Sequence, residues 1–422
     1  MNVFTDRIDR DKLGKDSSGQ GMTFAVKANI GCGHPWPASA STPSLRKWVP
    51  KNCSPVIQRL LESGYQVVGM ANMHELAFGI TSENPGYGDV DNPRKAGYIT
   101  GGSSGGSGAA VAMNAVPFAL GTDTGGSVRI PASLCGVIGY RPTIKLYDAS
   151  VVCPLSSTTD TIGILSRQME IIQRVHKAII PSYSPAVRQL SGVRMGVPRR
   201  YFYSPLHDEV SQVTEAALQL LKNSGVELVE VDFPAELSDD LLGTYFDLVK
   251  YETYRLIPKF LQDQEAPVNF EELCEQIGDP VVKDVITTAD KISEERYSEC
   301  QQVVERVRKM YDDYFTANAL NVFVAPTTIL PAVKRPSPTN VQVADQNLPT
   351  IIAYTHNTFP QAIAGVPSIS LPSGMTSDGL PVGLEVIGPR GFDSSVLDIA
   401  KSVEAVLPPM PQLSFEDFKD KI

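Results

Sequence analysis

Two serines framed by glycine carry the strongest chemical signal in this chain. Ser103 stands in Gly101-Gly102-Ser103-Ser104-Gly105-Gly106-Ser107-Gly108, and Ser127 closes Gly121-Thr122-Asp123-Thr124-Gly125-Gly126-Ser127. Glycine lets the backbone turn sharply and approach a ligand closely. A serine so framed can expose its hydroxyl while neighbouring N–H groups stay free, which is what a nucleophile and an oxyanion hole both need. Upstream, Lys27 ends the apolar run Phe24-Ala25-Val26. Burial there would disfavour the ammonium and make a neutral amine available as a base. A lysine at a strand end whose stem reaches out to water is the plainer reading of the same residue.

Taken alone, each signal leaves alternatives open. Ser103 satisfies the G-x-S-x-G pattern of a nucleophile elbow through Gly101 and Gly105, but Ser104 fits the same run in another register. An elbow also needs a preceding strand with a later acid and histidine, and His176, His207 and His356 lie in no telling context. A phosphate loop would need a Walker lysine or G-x-G-x-x-G, and neither accompanies the run. A plain flexible loop fits it equally well. Ser127 is sharper. Thr124, Gly125, Gly126 and Ser127 follow an apolar strand and precede Val128 to Leu134, which can begin a helix. Consecutive N–H groups there would converge on one spot, with Asp123 and Arg129 placed to pair across the turn or to remain ordinary surface charge.

The elements that must hold these residues read as short apolar runs alternating with helical patterns. Strands are expected at 22–27, 65–70, 116–120, 193–197, 226–231, 322–325, 368–371 and 383–387. Helices are expected at 54–63 with a serine cap, 107–114, about 208–223 and 394–406. That alternation predicts an α/β fold, a mixed central β-sheet covered by helices on both faces. Residues 236–316 read as a charged, helical subregion over the sheet, and the proline-rich stretch 326–349 as irregular surface loop. No repeat or interdomain linker is evident, so residues 1–422 are taken as a single domain.

Composition narrows the function classes. With 42% hydrophobic and 20% charged residues the chain has enough apolar material for a sizeable core. A net charge of −10 and the lack of a long basic run argue against nucleic-acid or anionic-membrane partners. The six cysteines are scattered without a C-x-x-C pair, which favours reduced core thiols over a zinc site or a disulfide framework. The polar first twenty residues and the absence of a transmembrane-length apolar run point to a cytoplasmic protein.

The segment from Gly101 to Thr143, with GGSSGGSGAAVA and ALGTDTGGSVRIPASLCGVIGYRPT, resembles the signature of the amidase signature family of serine hydrolases. Val26-Lys27 lies at the family's distance upstream, and Phe359 to Gly388 is similar to the family's C-terminal part. The resemblance implies a catalytic Lys27, a bridging Ser103 often found in a cis peptide, and a nucleophilic Ser127. It also implies oxyanion-hole amides from Thr124, Gly125, Gly126 and Ser127, and an acyl-enzyme route for a small amide without metal or cofactor. Within the family, Met73 to Gly79 and GSVRIPASLCG look most like mandelamide and indoleacetamide hydrolases, with Phe78, Ile80 and Tyr140 as candidate pocket residues. The glutaminase subunit of a tRNA-dependent amidotransferase is the alternative, weakened because Tyr354 to Asn357 carries no carboxylate. Hydrolysis of urea-derived amides such as allophanate or biuret is another. Family members usually carry several helices before the lysine, which arrives here at residue 27; pocket shape and a homodimer both depend on that difference.

Overall fold

The computed structural model describes residues 1–14, 21–234 and 241–422. Thirteen strands occur among them. The first six are β1 (Phe4–Ile8), β2 (Thr23–Lys27), β3 (Gln66–Ala71), β4 (Phe118–Asp123), β5 (Ile138–Arg141) and β6 (Thr161–Ser166). They are followed by β7 (Arg194–Val197), β8 (Glu227–Glu230), β9 (Val322–Pro326), β10 (Asn340–Val343), β11 (Gln346–Pro349), β12 (Ser368–Met375) and β13 (Pro381–Ile387). Eleven of these form one mixed sheet in the order β1-β3-β2-β4-β6-β5-β12-β13-β9-β7-β8. Strand β2 runs parallel to both β3 and β4, and β7 parallel to β8 and β9, while the joints through β6, β5, β12 and β13 are antiparallel.

The helices are α1 (Pro55–Glu62), α2 (Gly105–Ala112), α3 (Arg129–Cys135), α4 (Met169–Ile179), α5 (Arg199–Phe202) and α6 (Asp208–Asn223). Next come α7 (Leu241–Asp263), α8 (Phe270–Glu275), α9 (Pro280–Thr287), α10 (Glu294–Ala317), α11 (Thr350–Thr355), α12 (Phe359–Ala364) and α13 (Asp393–Glu404). Residues 241–317 thus hold four helices; residues 236–240 of the expected helical subregion lie outside the described residues. None of the described helices is long and apolar enough to cross a membrane.

Side-chain alternation decides which layer each strand residue meets. On β2, Phe24 and Val26 join the core packed by α1 and α4, whereas Ala25 joins the small-residue core of α2 and α3. Lys27 follows Ala25 by two positions and so leaves the strand on the α2 side. The α2 face is built from Ala109 to Ala112, so that helix can lie close to the sheet. The parallel register Val26↔Leu120 then brings the carboxyl ends of β2 and β4 to one edge of the sheet. Crevices outside such strand ends are where open α/β sheets bind ligands.

Two expectations are corrected. Residues 326–349 are not irregular surface loop: Thr327 to Leu330 are buried, and β10 and β11 form an antiparallel hairpin. Val341 and Val343, spaced by two, bury one face of that hairpin while its intervening residues stay exposed. Helix α1 begins at Pro55 as its composition suggests, but Ser54 makes no side-chain cap.

Candidate active site

At that edge Lys27 and Ser103 meet, and Ser127 adjoins them through the backbone. The fully buried Lys27 Nζ lies 2.7 Å from Ser103 Oγ and 2.7 Å from Thr122 Oγ1, with the Thr122 carbonyl at 3.4 Å. Asn29 Nδ2 donates to the same Thr122 hydroxyl at 3.2 Å. Ser103 stands just ahead of α2, after a cis peptide from Gly102. Its carbonyl accepts from His74 N–H at 3.1 Å and from Ser82 Oγ at 3.4 Å. The two serine segments join through the backbone, Ser104 N–H donating to the Ser127 carbonyl at 3.2 Å. Burial drives the Lys27 amine down from its ordinary 10.5 to about 7, although Asp123 and Asp160 pull the other way.

The turn from Asp123 to Ser127 is shaped by a buried charge cluster. The Asp123 carboxylate accepts N–H groups from Gly126 at 2.9 Å and Val128 at 3.2 Å. Arg129 grips it at 3.0 and 2.9 Å, Arg141 Nη1 lies at 3.0 Å, and Arg129 Nη1 continues to Glu385 at 2.7 Å. Burial alone would raise the Asp123 carboxyl, but the two guanidinium groups and the N–H bonds outweigh it and hold it well below the usual carboxylate range. The ion pair read from sequence is therefore present, in the interior rather than at the surface.

That cluster also revises the expected oxyanion donors. The Gly126 N–H is occupied by Asp123, so it is not free to meet an oxyanion. Among the described residues the N–H groups of Thr124, Gly125 and Ser127 have no protein acceptor. Gly126 has φ +132°, and a side chain there would strike the Thr358 hydroxyl, which donates to the Gly125 carbonyl at 2.6 Å. The Thr124 hydroxyl donates to Asp160 at 2.7 Å. Burial raises the Asp160 carboxyl to about 6 against its bonds from the Ser156 N–H, the Thr124 hydroxyl and the Leu155 N–H. Asp160 also lines a pocket of about 570 Å³ with Tyr147, Ser156, Leu256 and Phe260, one hydrogen bond away from Thr124.

Of the three expected pocket residues, one has its backbone beside a serine segment. Phe78 is half-buried between the sheet core and the cluster that holds α7 to α9. The Ile80 backbone adjoins Gly102, next to Ser103. Tyr140 is corrected to a core residue: its hydroxyl donates to Asp393 at 2.7 Å and its ring meets Tyr147 and His176 edge-on. Thr122, Asn29, Asp160, Glu385 and Thr358 were not singled out from the sequence. Only Thr122 and Asp160 carry a local signal, Thr122 inside the glycine-framed run and Asp160 in the polar run Ser156 to Asp160.

The chain matches the family described as Amidase over residues 6–397. It is 36% identical over 408 residues to an indoleacetamide hydrolase of Agrobacterium vitis, covering 95% of this chain and 85% of that protein. It is 34% identical over 409 residues to a mandelamide hydrolase of Pseudomonas putida, covering 92% and 78%. A crystal structure of an amidase superposes with a TM-score of 0.83 at 29% identity, covering 92% of this chain and 86% of that one.

Proposed function

Because this chain belongs to the amidase signature family and is an amide hydrolase, we propose that Lys27, Ser103 and Ser127 form its proton relay and nucleophile. The observation that carries the reading is the 2.7 Å contact between a fully buried Lys27 amine and Ser103 Oγ. Above about pH 7, where that amine is neutral, its N–H bonds go to the oxygens of Thr122 and its lone pair is left for the Ser103 proton. Ser103 accepts the proton of Ser127 as Ser127 Oγ attacks the amide carbon. The relay then runs backwards, protonating the leaving nitrogen as the C–N bond breaks, which an amine leaving group requires. Water enters by the same route and hydrolyses the acyl-enzyme to the carboxylic acid and free Ser127. The N–H groups of Gly125 and Ser127, with Thr124 beside them, supply donors for the oxyanion, each of a kind worth about 3 kcal/mol in such sites.

The substrate we infer is a small arylacetamide. Both named relatives act, by their names, on an aromatic acetamide, which supports that reading. The glutaminase alternative is not favoured, since Tyr354 to Asn357 offers no carboxylate for a substrate amino group. A fluorophosphonate probe with peptide mapping tests the nucleophile: the adduct is expected on Ser127, and an adduct on Ser103 or on no serine refutes the assignment. An ammonia-release screen over arylacetamides, aliphatic amides, glutamine, biuret and allophanate tests the substrate class. Preference for any of the last three overturns the arylacetamide reading without touching the relay.

A further inference from the structure

The position of Gly125 is shaped by a residue far away in the chain. A side chain at 125 would collide with the phenol oxygen and ring of Tyr245. Tyr245 lies near the start of α7, seven residues before Glu252, so the two share one face of the helix about 10 Å apart. Glu252 anchors that face. Its carboxylate accepts from the hydroxyls of Ser156, Ser157, Thr158 and Tyr297, with Ser157 at 3.1 Å, Thr158 at 2.6 Å and Tyr297 at 2.8 Å. The same loop carries Asp160, which holds the Thr124 hydroxyl. Helix α7 is therefore docked in a fixed register against the turn, and the docking delivers a hydroxyl to Gly125.

That hydroxyl is unspent. Tyr245 is only 7% exposed, its ring is packed by Phe246 and Phe359 at 5.4 Å each, and its Oη has no hydrogen-bond partner among the described residues. A hydroxyl that makes no hydrogen bond within the protein is free to donate to a ligand oxygen that enters beside the turn. The turn, for its part, has lost one donor, because Asp123 occupies the Gly126 N–H. Burial raises the Tyr245 phenol above its ordinary value, so it stays protonated and able to donate at any working pH.

We propose that Tyr245 is a catalytic residue, its hydroxyl donating to the scissile amide oxygen as that oxygen becomes the tetrahedral oxyanion, alongside the N–H groups of Gly125 and Ser127. This rests on the assignment of Ser127 as nucleophile. The phenol keeps its proton throughout. Its hydrogen bond strengthens as charge develops on the oxygen and weakens when the C–N bond breaks and the carbonyl re-forms.

The test is Tyr245→Phe, which keeps the ring and removes only the hydroxyl. The expected result is a fall in kcat of about 100-fold with KM unchanged. Affinity for an arylacetaldehyde, which forms a tetrahedral adduct, should fall by the same factor, with the melting temperature held. Unchanged kcat, or a change in KM alone, overturns the proposal, because water or packing would then account for the hydroxyl. Glu252→Gln is the second variant: it should lower kcat in the parent by loosening α7, and have little further effect beside Tyr245→Phe. Additive losses would count against a shared role. Ser127→Ala separates the two readings: if it keeps turnover, the nucleophile assignment fails, whereas a dead Ser127→Ala beside a fully active Tyr245→Phe removes Tyr245 alone.

Discussion

Lys27 is a cation-forming side chain with 0% exposure and a hydroxyl for its nearest neighbour, so its protonation state governs what the site can do. Burial sets that state by lowering the amine to about 7. A protonated Lys27 cannot accept from Ser103, so kcat/KM for an amide should be low in acid and rise through about pH 7 to a plateau. A profile flat across that range would remove Lys27 from the relay. Arginine should not substitute for it, because a guanidinium stays charged in the interior and has no lone pair to offer. Tyr245 and Lys27 thus illustrate opposite uses of burial, the phenol keeping its proton and the amine losing one.

At the scale of elements, the turn after β4 is held by charge and α7 by a carboxylate anchor. Asp123→Asn would leave buried Arg129 with Glu385 and take from buried Arg141 its carboxylate ion pair, so a destabilisation of about 3–5 kcal/mol is expected in urea unfolding, with activity lost in the variant that still folds. Wild-type stability in that variant would mean the cluster is dispensable. Much of this was legible beforehand where one segment holds the whole signal. Helix Asp208–Asn223 is found at the bounds its periodicity suggests, and Lys27, Ser103 and Ser127 each sit in a glycine frame or at the end of an apolar run. Strand β1 was missed because Thr5, Asp6 and Arg7 interrupt its apolar residues, and β5 and β6 because Gly139 and Gly163 dilute short runs. Thr358, Glu385 and Tyr245 were out of reach for another reason. Each is an ordinary residue in its own segment, and only the docking of α7, α12 and β13 gives it a neighbour at the turn.

For the molecule as a whole, the buried amine exacts a stability cost that depends on pH. The folded Lys27 binds its proton less tightly than the unfolded chain does, so between about pH 7 and 10.5 the unfolded state holds the extra proton and this group makes stability rise with pH. The slope is at most about 1.4 kcal/mol per pH unit. Lys27→Met should therefore be more stable than the parent by an amount that is largest below pH 7 and shrinks toward pH 10.5, measured by urea unfolding at several pH values. An advantage equal at both ends would contradict the burial argument. The Arg129–Glu385 link spans the sheet from the turn after β4 to β13, and it has a consequence for how the protein is made. A ribosome releases Lys27, Ser103 and Ser127 well before Glu385, the partner that completes the cluster beneath Ser127. A nascent chain stopped before β13 would carry the proposed relay without the Glu385 partner of Arg129, and is expected to show no amidase activity until β13 is added.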